Sequence, residues 1–324
     1  MAVYTHISGD DLARHLAGFR LGEAVAFEGI GDGVENTNYK LTTGTGLYIL
    51  TLFEGRVAEK DLPFFLSFME HLRGAGVPVA AVVPDAQGHA VLPLAGKPSV
   101  ITTFLPGAWP KETTPEHCRA VGETLARMHL AAADFGGARE NGMGLSEWRR
   151  LIMASGAAEE KLRNFLHDEL SFLEKNTPKN LPRGAVHADL FPDNVFFEGK
   201  KLSGVIDFYF ACTDFFAYDL MLTLNAWCFD GAGGLQREKS DALLAGYARH
   251  RQLTPDEEAA LPIFGRAAAL RIVATRLYDA LHLRPDAVVT PKDPQEHVQI
   301  LRFYQNDMQR REPKARWIPG PAVP

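Results

Sequence analysis

Histidine, aspartate and asparagine stand at offsets 0, +2 and +7 in His187-Ala188-Asp189-Leu190-Phe191-Pro192-Asp193-Asn194, which runs into apolar Val195-Phe196-Phe197. Thirteen residues past Asn194, a second apolar run, Val205-Ile206, delivers Asp207. Transfer of a phosphoryl group from ATP explains these residue types. Its transition state spreads negative charge over phosphate oxygens, and divalent magnesium neutralises that charge. Magnesium is a hard cation that takes oxygen ligands, which Asn194 and Asp207 would supply from two adjacent strand ends. Asp189, five residues before Asn194, would sit across the metal as base or orienting group for an attacking hydroxyl. His187 and Asp193 would support the loop, and Pro192 would stiffen it. Taken singly, each aspartate reads equally well as a turn cap or a strand end. The three types at these offsets arise by chance in roughly one chain of this size in a hundred. Two flanking strands and a second aspartate at the right distance make coincidence rarer still.

Such residues need strands and loops to hold them, and the chain changes texture near residue 107. Before it, short β-like runs alternate with glycine turns. A strand from Val25 to Gly29 leads into Gly29-Ile30-Gly31-Asp32-Gly33-Val34-Glu35-Asn36, and strands from Thr37 to Thr43 and Leu47 to Phe53 flank the hairpin Gly44-Thr45-Gly46. Leu62, Phe65, Leu66, Met69 and Leu72 recur at helical spacing, with Gly74 and Gly76 as the stop. Strands from Val77 to Val83 and Ser99 to Phe104 flank a turn-rich hairpin. After Leu105-Pro106-Gly107 the pattern becomes helical, starting at Thr114-Pro115-Glu116, with further helices predicted over 145–155, 158–176, 214–229, 235–250, 255–283 and 294–311. A short β interruption spans 185–197 and 202–208. The fold class is therefore α+β: a small antiparallel β-rich lobe over 1–105, a larger helical lobe over 106–312 carrying the catalytic loop and the acceptor site, and a proline-rich tail over 313–324. The alternating glycines suit a phosphate cover, because backbone amides approach an anion where no side chain intervenes. Gly31, Gly33 and Asn36 are the candidates, and Asn36 and Asn38 would contact phosphate or substrate, or complete the turn.

Composition narrows the function classes. The chain has 324 residues, 46% hydrophobic and 23% charged, ample for a sizeable core. Thirty-four basic against forty acidic residues leave a net charge of −6, which argues against a non-specific nucleic-acid binder. Cys118, Cys212 and Cys228 are far apart with no C-x-x-C pair, so neither a disulfide framework nor a structural zinc site is expected. The first ten residues show neither a basic n-region nor an apolar h-region, so no secretion signal is expected, and Asp214 and Asp219 interrupt the most apolar stretch. No membrane partner is expected, and the compartment implied is the cytoplasm.

The run from His187 to Asn194 together with Asp207 resembles the catalytic loop and metal-binding aspartate of the aminoglycoside phosphotransferase and choline kinase-like group. The narrower likeness is to the bacterial homoserine kinases of that group. It is carried by Met1-Ala2-Val3-Tyr4-Thr5, Gly33-Val34-Glu35-Asn36-Thr37-Asn38-Tyr39, Leu50-Thr51-Leu52-Phe53-Glu54, Asp61-Leu62-Pro63-Phe64-Phe65 and the segment from Thr213 to Asn225. The resemblance runs from residue 1 to about 310 and implies a two-lobed protein-kinase-like fold with ATP, Mg2+ and L-homoserine as ligands. It also implies a place in threonine biosynthesis, a hinge whose Thr103, Phe104 and Leu105 present backbone groups to adenine, and a structural role for Asp219. One departure stands out: most such kinases carry a lysine or arginine on the third strand, where this chain has Thr51. Lys40 and Arg56 are candidates to replace it, and Glu70 would be the helix acid. An amino-acid acceptor needs a cation for its carboxylate and an anion for its ammonium. Asn38, Tyr209, Asp214, Arg271 and Arg276 are the candidates, although a buried arginine in an apolar helix demands a partner in any case. A kinase for choline, an aminoglycoside or a sugar, or an inactive nucleotide-binding module, remain the alternatives.

Overall fold

The structure, a computed structural model, describes residues 3–31, 36–55, 57–155, 160–281 and 293–310. Gly33, Arg56 and the proline-rich tail lie outside them. The chain divides into two units: among the described residues, the first holds 3–107 and 203–209, the second 108–202, 210–281 and 293–310.

The first unit opens with α1 (Gly9–Leu16), begun by a capping box in which Ser8 and Asp11 satisfy each other's backbone N–H groups. Then follow β1 (Ala24–Gly29), β2 (Thr37–Thr43), β3 (Gly46–Leu52), α2 (Leu62–Gly74), β4 (Val82–Val83), β5 (Leu92–Leu94) and β6 (Lys97–Thr103). They form an antiparallel sheet in the order β1-β2-β3-β6-β4, with β5 on β6. The β2 side chains alternate buried and half-buried, which puts Tyr39 and Leu41 into a core with Leu50, Leu52, Ile101 and, from α1, Leu12 and Leu16. The register sets Asn38 opposite Thr51. Gly29 earns its place sterically, because a Cβ there would run into the Val3 side chain laid over the strand. The strand expected from Val77 to Val83 shrinks to its last two residues. Pro78 has no N–H to give a ladder, and Val79 pairs instead in parallel with Val205, whose N–H donates to the Pro78 carbonyl at 2.8 Å. That bridge ties the segment bearing Asp207 to this unit.

The second unit holds α3 (Pro115–Ala132), α4 (Leu145–Ala154), α5 (Glu160–Asn176), β7 (Arg183–Val186) and β8 (Val195–Glu198); β9 (Lys201–Val205) begins in it and ends in the first unit. It continues with β10 (Cys212–Phe215), α6 (Phe216–Cys228), α7 (Arg237–Ala248), α8 (Pro255–Leu281) and α9 (Gln295–Arg310). Thr114 caps α3, its hydroxyl accepting from the His117 N–H, and Pro115 takes the first helical position. Gly122 of α3 and Gly246 of α7 bring these helices into backbone contact, since a Cβ on either would overlap the partner's carbonyl. The helix expected from residue 214 starts two residues later. Residues 212–215 are instead a strand, paired antiparallel with β7 so that Asp214 faces Gly184. Here tertiary pairing overrides the local helical pattern.

Candidate active site

The catalytic loop runs from β7 to a single turn of 3-10 helix, Pro192–Asn194, at the mouth of β8. Nearly every polar group in it is tied down. Ala188 takes a left-handed φ of 59°, uncommon for a residue with a side chain, and its N–H donates to Asp219 Oδ1 at 2.8 Å. The His187 N–H donates to Asp219 Oδ2 at 3.2 Å, and His187 Nδ1 accepts from the Asp189 N–H at 3.2 Å. Trp227 Nε1 donates to the Leu190 carbonyl at 2.8 Å. Asn194 closes the turn, its Nδ2 donating to the Asp189 carbonyl at 2.8 Å and to Asp189 Oδ2 at 3.3 Å. His187, Asp189 and Asn194 thus come together as one rigid turn. Asp193 lies in the same turn with its side chain exposed.

Beneath the loop runs a buried chain of hydrogen bonds that the sequence pattern did not reveal. Asp219 is fully buried, and its Oδ2 also meets His129 Nε2 at 3.0 Å. A carboxylate only accepts, so Nε2 carries the proton, and a neutral ring then accepts at Nδ1. The Tyr247 hydroxyl, 2.7 Å away, donates there and accepts from Arg251 Nη1 at 3.1 Å. Burial alone would raise Asp219, but the His129 and backbone N–H groups together hold it below the usual carboxylate value. Burial pushes His129 below its usual 6.5 despite the neighbouring carboxylate. Below pH 6.5 the unfolded chain takes up a proton on this histidine and the native ring does not, so stability falls as pH drops through the window beneath 6.5. Unfolding free energy measured between pH 7 and 5 is expected to decline with acid in the parent and less steeply in His129→Gln. Equal slopes would contradict a neutral buried ring.

The remaining expected residues fall as follows. Arg271 of α8 is 2% exposed, and its guanidinium lies under the loop. Arg276 holds Glu296 at 2.8 Å and the Asp293 carbonyl at 2.7 Å. Asp214 accepts from Asn141 Nδ2 at 2.6 Å and from the Phe215 N–H, and burial raises its pKa. In the first unit, Thr51 Oγ1 donates to Asn38 Oδ1 at 2.7 Å, and the part-buried Tyr209 phenol stands beside Thr51 and Asp207, its pKa raised by desolvation. Thr51 is therefore part of a neutral hydrogen-bonded group where a cation is usual. Lys40 lies over the Phe104 ring, 5.3 Å from its centroid. Glu70 accepts from the Val82 N–H at 2.8 Å and pairs with Arg73, so its carboxylate serves its own unit's sheet edge. Asn36 is buried and its Oδ1 accepts from the Glu54 N–H, while Gly31 is exposed. The N–H groups of Thr103 and Phe104 are taken by the carbonyls of Ala81 and Leu47.

The donor chemistry fits a hard cation. Asn194 uses only its Nδ2 in these bonds, so its Oδ1 is available as an oxygen ligand. Asp207, at the end of β9, holds a left-handed φ of 62°, a constraint of the kind that functional turns store. Among the described residues no three His, Cys, Asp or Glu side chains form a metal cluster.

The sequence pattern of the phosphotransferase enzyme family matches residues 26–253. The chain is 48% identical over 311 residues to a homoserine kinase of Rhodopseudomonas palustris, covering 94% of this chain and 95% of that one. Against a homoserine kinase of Bradyrhizobium diazoefficiens it is 49% identical with the same coverage. Among solved structures, an amicoumacin kinase in complex with AMP-PNP and Ca2+ superposes with a TM-score of 0.71 at 17% identity, over 95% of both chains. A choline/ethanolamine kinase family protein of Mesorhizobium loti gives 0.62 at 16% identity, over 93% of this chain and 94% of that one. At such identities the superpositions speak for the fold alone, and it is kinase-like. The chain belongs to the phosphotransferase enzyme family and, within it, groups with the homoserine kinases.

Proposed function

We propose that this protein transfers the γ-phosphoryl group of ATP to the side-chain hydroxyl of L-homoserine, giving O-phospho-L-homoserine for threonine biosynthesis in the cytoplasm. The observation that carries the reading is near half-identity to homoserine kinases over almost the whole chain. The loop geometry supplies the chemistry. Asp189 takes the hydroxyl proton, with its carboxylate aimed by Asn194 and its backbone fixed by His187. Asn194 Oδ1 and the Asp207 carboxylate hold Mg2+, which screens the phosphate charge when bound. Gly31, Gly33 and Asn36 cover the phosphates, and Thr103, Phe104 and Leu105 meet the adenine. Residues 1–105 form the nucleotide lobe in this reading, and 106–312 the acceptor lobe.

Homoserine is short and flexible, with little apolar surface, so its recognition must rest on the α-carboxylate and α-ammonium. A charge-assisted hydrogen bond contributes about 1.5–3 kcal/mol. Homoserine methyl ester is thus expected to lose about ten- to a hundredfold in kcat/KM although its hydroxyl is untouched. Serine, one methylene shorter, misplaces its hydroxyl by about 1 Å, which can cost around a hundredfold. The measurement is kcat/KM for homoserine, serine, the ester and choline at one magnesium–ATP concentration. If choline or the ester matched homoserine, the amino-acid reading would fall.

A further inference from the structure

α8 carries two buried arginines whose pairings differ in kind. Arg266 grips Glu169 with Nε and Nη2, both at 2.6 Å, while its guanidinium stacks on Phe172 at 3.5 Å. That is the bidentate geometry of a structural ion pair. Arg271, five residues on, is spread over several groups, with the Tyr218 phenol beside it. Its Nη1 donates to the Ala188 carbonyl and its Nη2 reaches Asp189 Oδ1 at 3.4 Å, with the Phe210 ring 5.2 Å from the guanidinium. A fully buried cation with so long a contact to the Asp189 carboxylate is a poor source of stability, since desolvation costs several kcal/mol per ion. It does hold the loop. The Ala188 peptide is fixed from both ends, its N–H on Asp219 and its carbonyl on Arg271. The Asp189 carboxylate is held between Arg271 on Oδ1 and Asn194 on Oδ2.

We infer that Arg271 is a positioning residue that sets the direction of the Asp189 carboxylate and the left-handed turn at Ala188 from beneath. The inference rests on the reading of Asp189 as the proton acceptor. The loose 3.4 Å contact aims the carboxylate without engaging it fully, so that an acceptor hydroxyl can still bond to it. Only a planar fork spans a carbonyl and a carboxylate on successive residues. An ammonium has three donors on one atom but no rigid fork, so it cannot hold the two oxygens in that fixed planar geometry.

The test is Arg271→Lys, which keeps the charge, alongside Arg271→Met, with kcat and KM measured per folded molecule. Arg271→Lys is expected to lower kcat about tenfold or more, as a carboxylate displaced by a fraction of an ångström would, with KM for ATP within twofold of the parent. Parent-like kcat in the lysine variant overturns the inference, whether or not the methionine variant folds. A double-mutant cycle with Asp189→Asn separates the two claims. If Arg271 acts through Asp189, adding Arg271→Lys to Asp189→Asn costs less than threefold. A full tenfold loss in that background overturns the positioning role while leaving Asp189 as the proton acceptor. Near-normal turnover of Asp189→Asn alone overturns the assignment of Asp189, and the positioning role with it.

Discussion

Asp189→Asn is expected to reduce kcat by about a hundredfold or more, the usual worth of a positioned acid–base group, while KM for ATP stays within a few-fold of the parent. The substitution keeps the side chain's shape and removes its capacity to take a proton. Most of what orders the loop does not involve that carboxylate. Asp189 keeps its N–H on His187 Nδ1, its carbonyl on Asn194 Nδ2, and the preceding peptide on Asp219. The amide oxygen can still accept from one of the two donors that flank the carboxylate, Arg271 Nη2 and Asn194 Nδ2. The unfolding curve then shows what losing a charge beside buried Arg271 costs the fold, and the kinetic loss in folded protein reports the chemistry. Steady-state kinetics with homoserine, read beside the unfolding curve of the same preparation, separates the two. A kcat within tenfold of the parent, in folded protein, would remove Asp189 from the role of base.

How far the site could be read in advance depends on how far apart its partners stand in the chain. That Asp189 and Asn194 share one turn could be read from their local spacing, and β2 was found to the residue because the Gly44–Gly46 hairpin fixes its end. The stop of α2 at Gly74 was legible for the same reason, with Gly76 at a left-handed φ of 76°. α1 escaped notice because a helix of eight residues shows barely two turns of period, although Ser8 and Asp11 formed a capping box that a search for helix starts would have found. β10 was hidden by apolar residues that continue into α6, and only its pairing with β7 makes it a strand. The buried supports were the least accessible. His129 lies 90 residues from Asp219 and 118 from Tyr247, and Arg271 lies 82 from Asp189. Periodicity says that such a residue faces inward, but not what it meets. Arg271 was a candidate for the acceptor because a carboxylate needs a cation, with a structural pairing as the other reading of a buried arginine; the structure shows its contacts to the Ala188 carbonyl and Asp189, which periodicity could not foretell.

Asp219→Ala is expected to destabilise the second unit by about 3 kcal/mol or more. The carboxylate is wholly buried and accepts from three donors, the Ala188 N–H, the His187 N–H and His129 Nε2. Removing it orphans all three at about 1–3 kcal/mol apiece, against a total stability of about 5–15 kcal/mol for a typical protein. Two of those donors belong to the backbone of the catalytic loop, and one holds Ala188 in a left-handed conformation that costs about 1–2 kcal/mol on its own. The loop should relax toward an ordinary backbone and turnover fall with it. Asp219→Asn can keep an oxygen toward His187 and His129 and lose only the Ala188 bond, so its loss should lie between the parent and the alanine variant. Trp148 and Trp227 are buried in the second unit, and Trp109 also lies there. Among the described residues these are all the tryptophans, so the fluorescence of Trp148 and Trp227 in a urea titration reports on that unit. Glu147→Ala is the control, since Glu147 pairs with Arg150 on an exposed helix face and such changes stay within about 0.5 kcal/mol. A midpoint for Asp219→Ala no lower than that of the control would mean that the loop holds its shape without the buried carboxylate, and that its order originates in Asn194, Trp227 and Arg271.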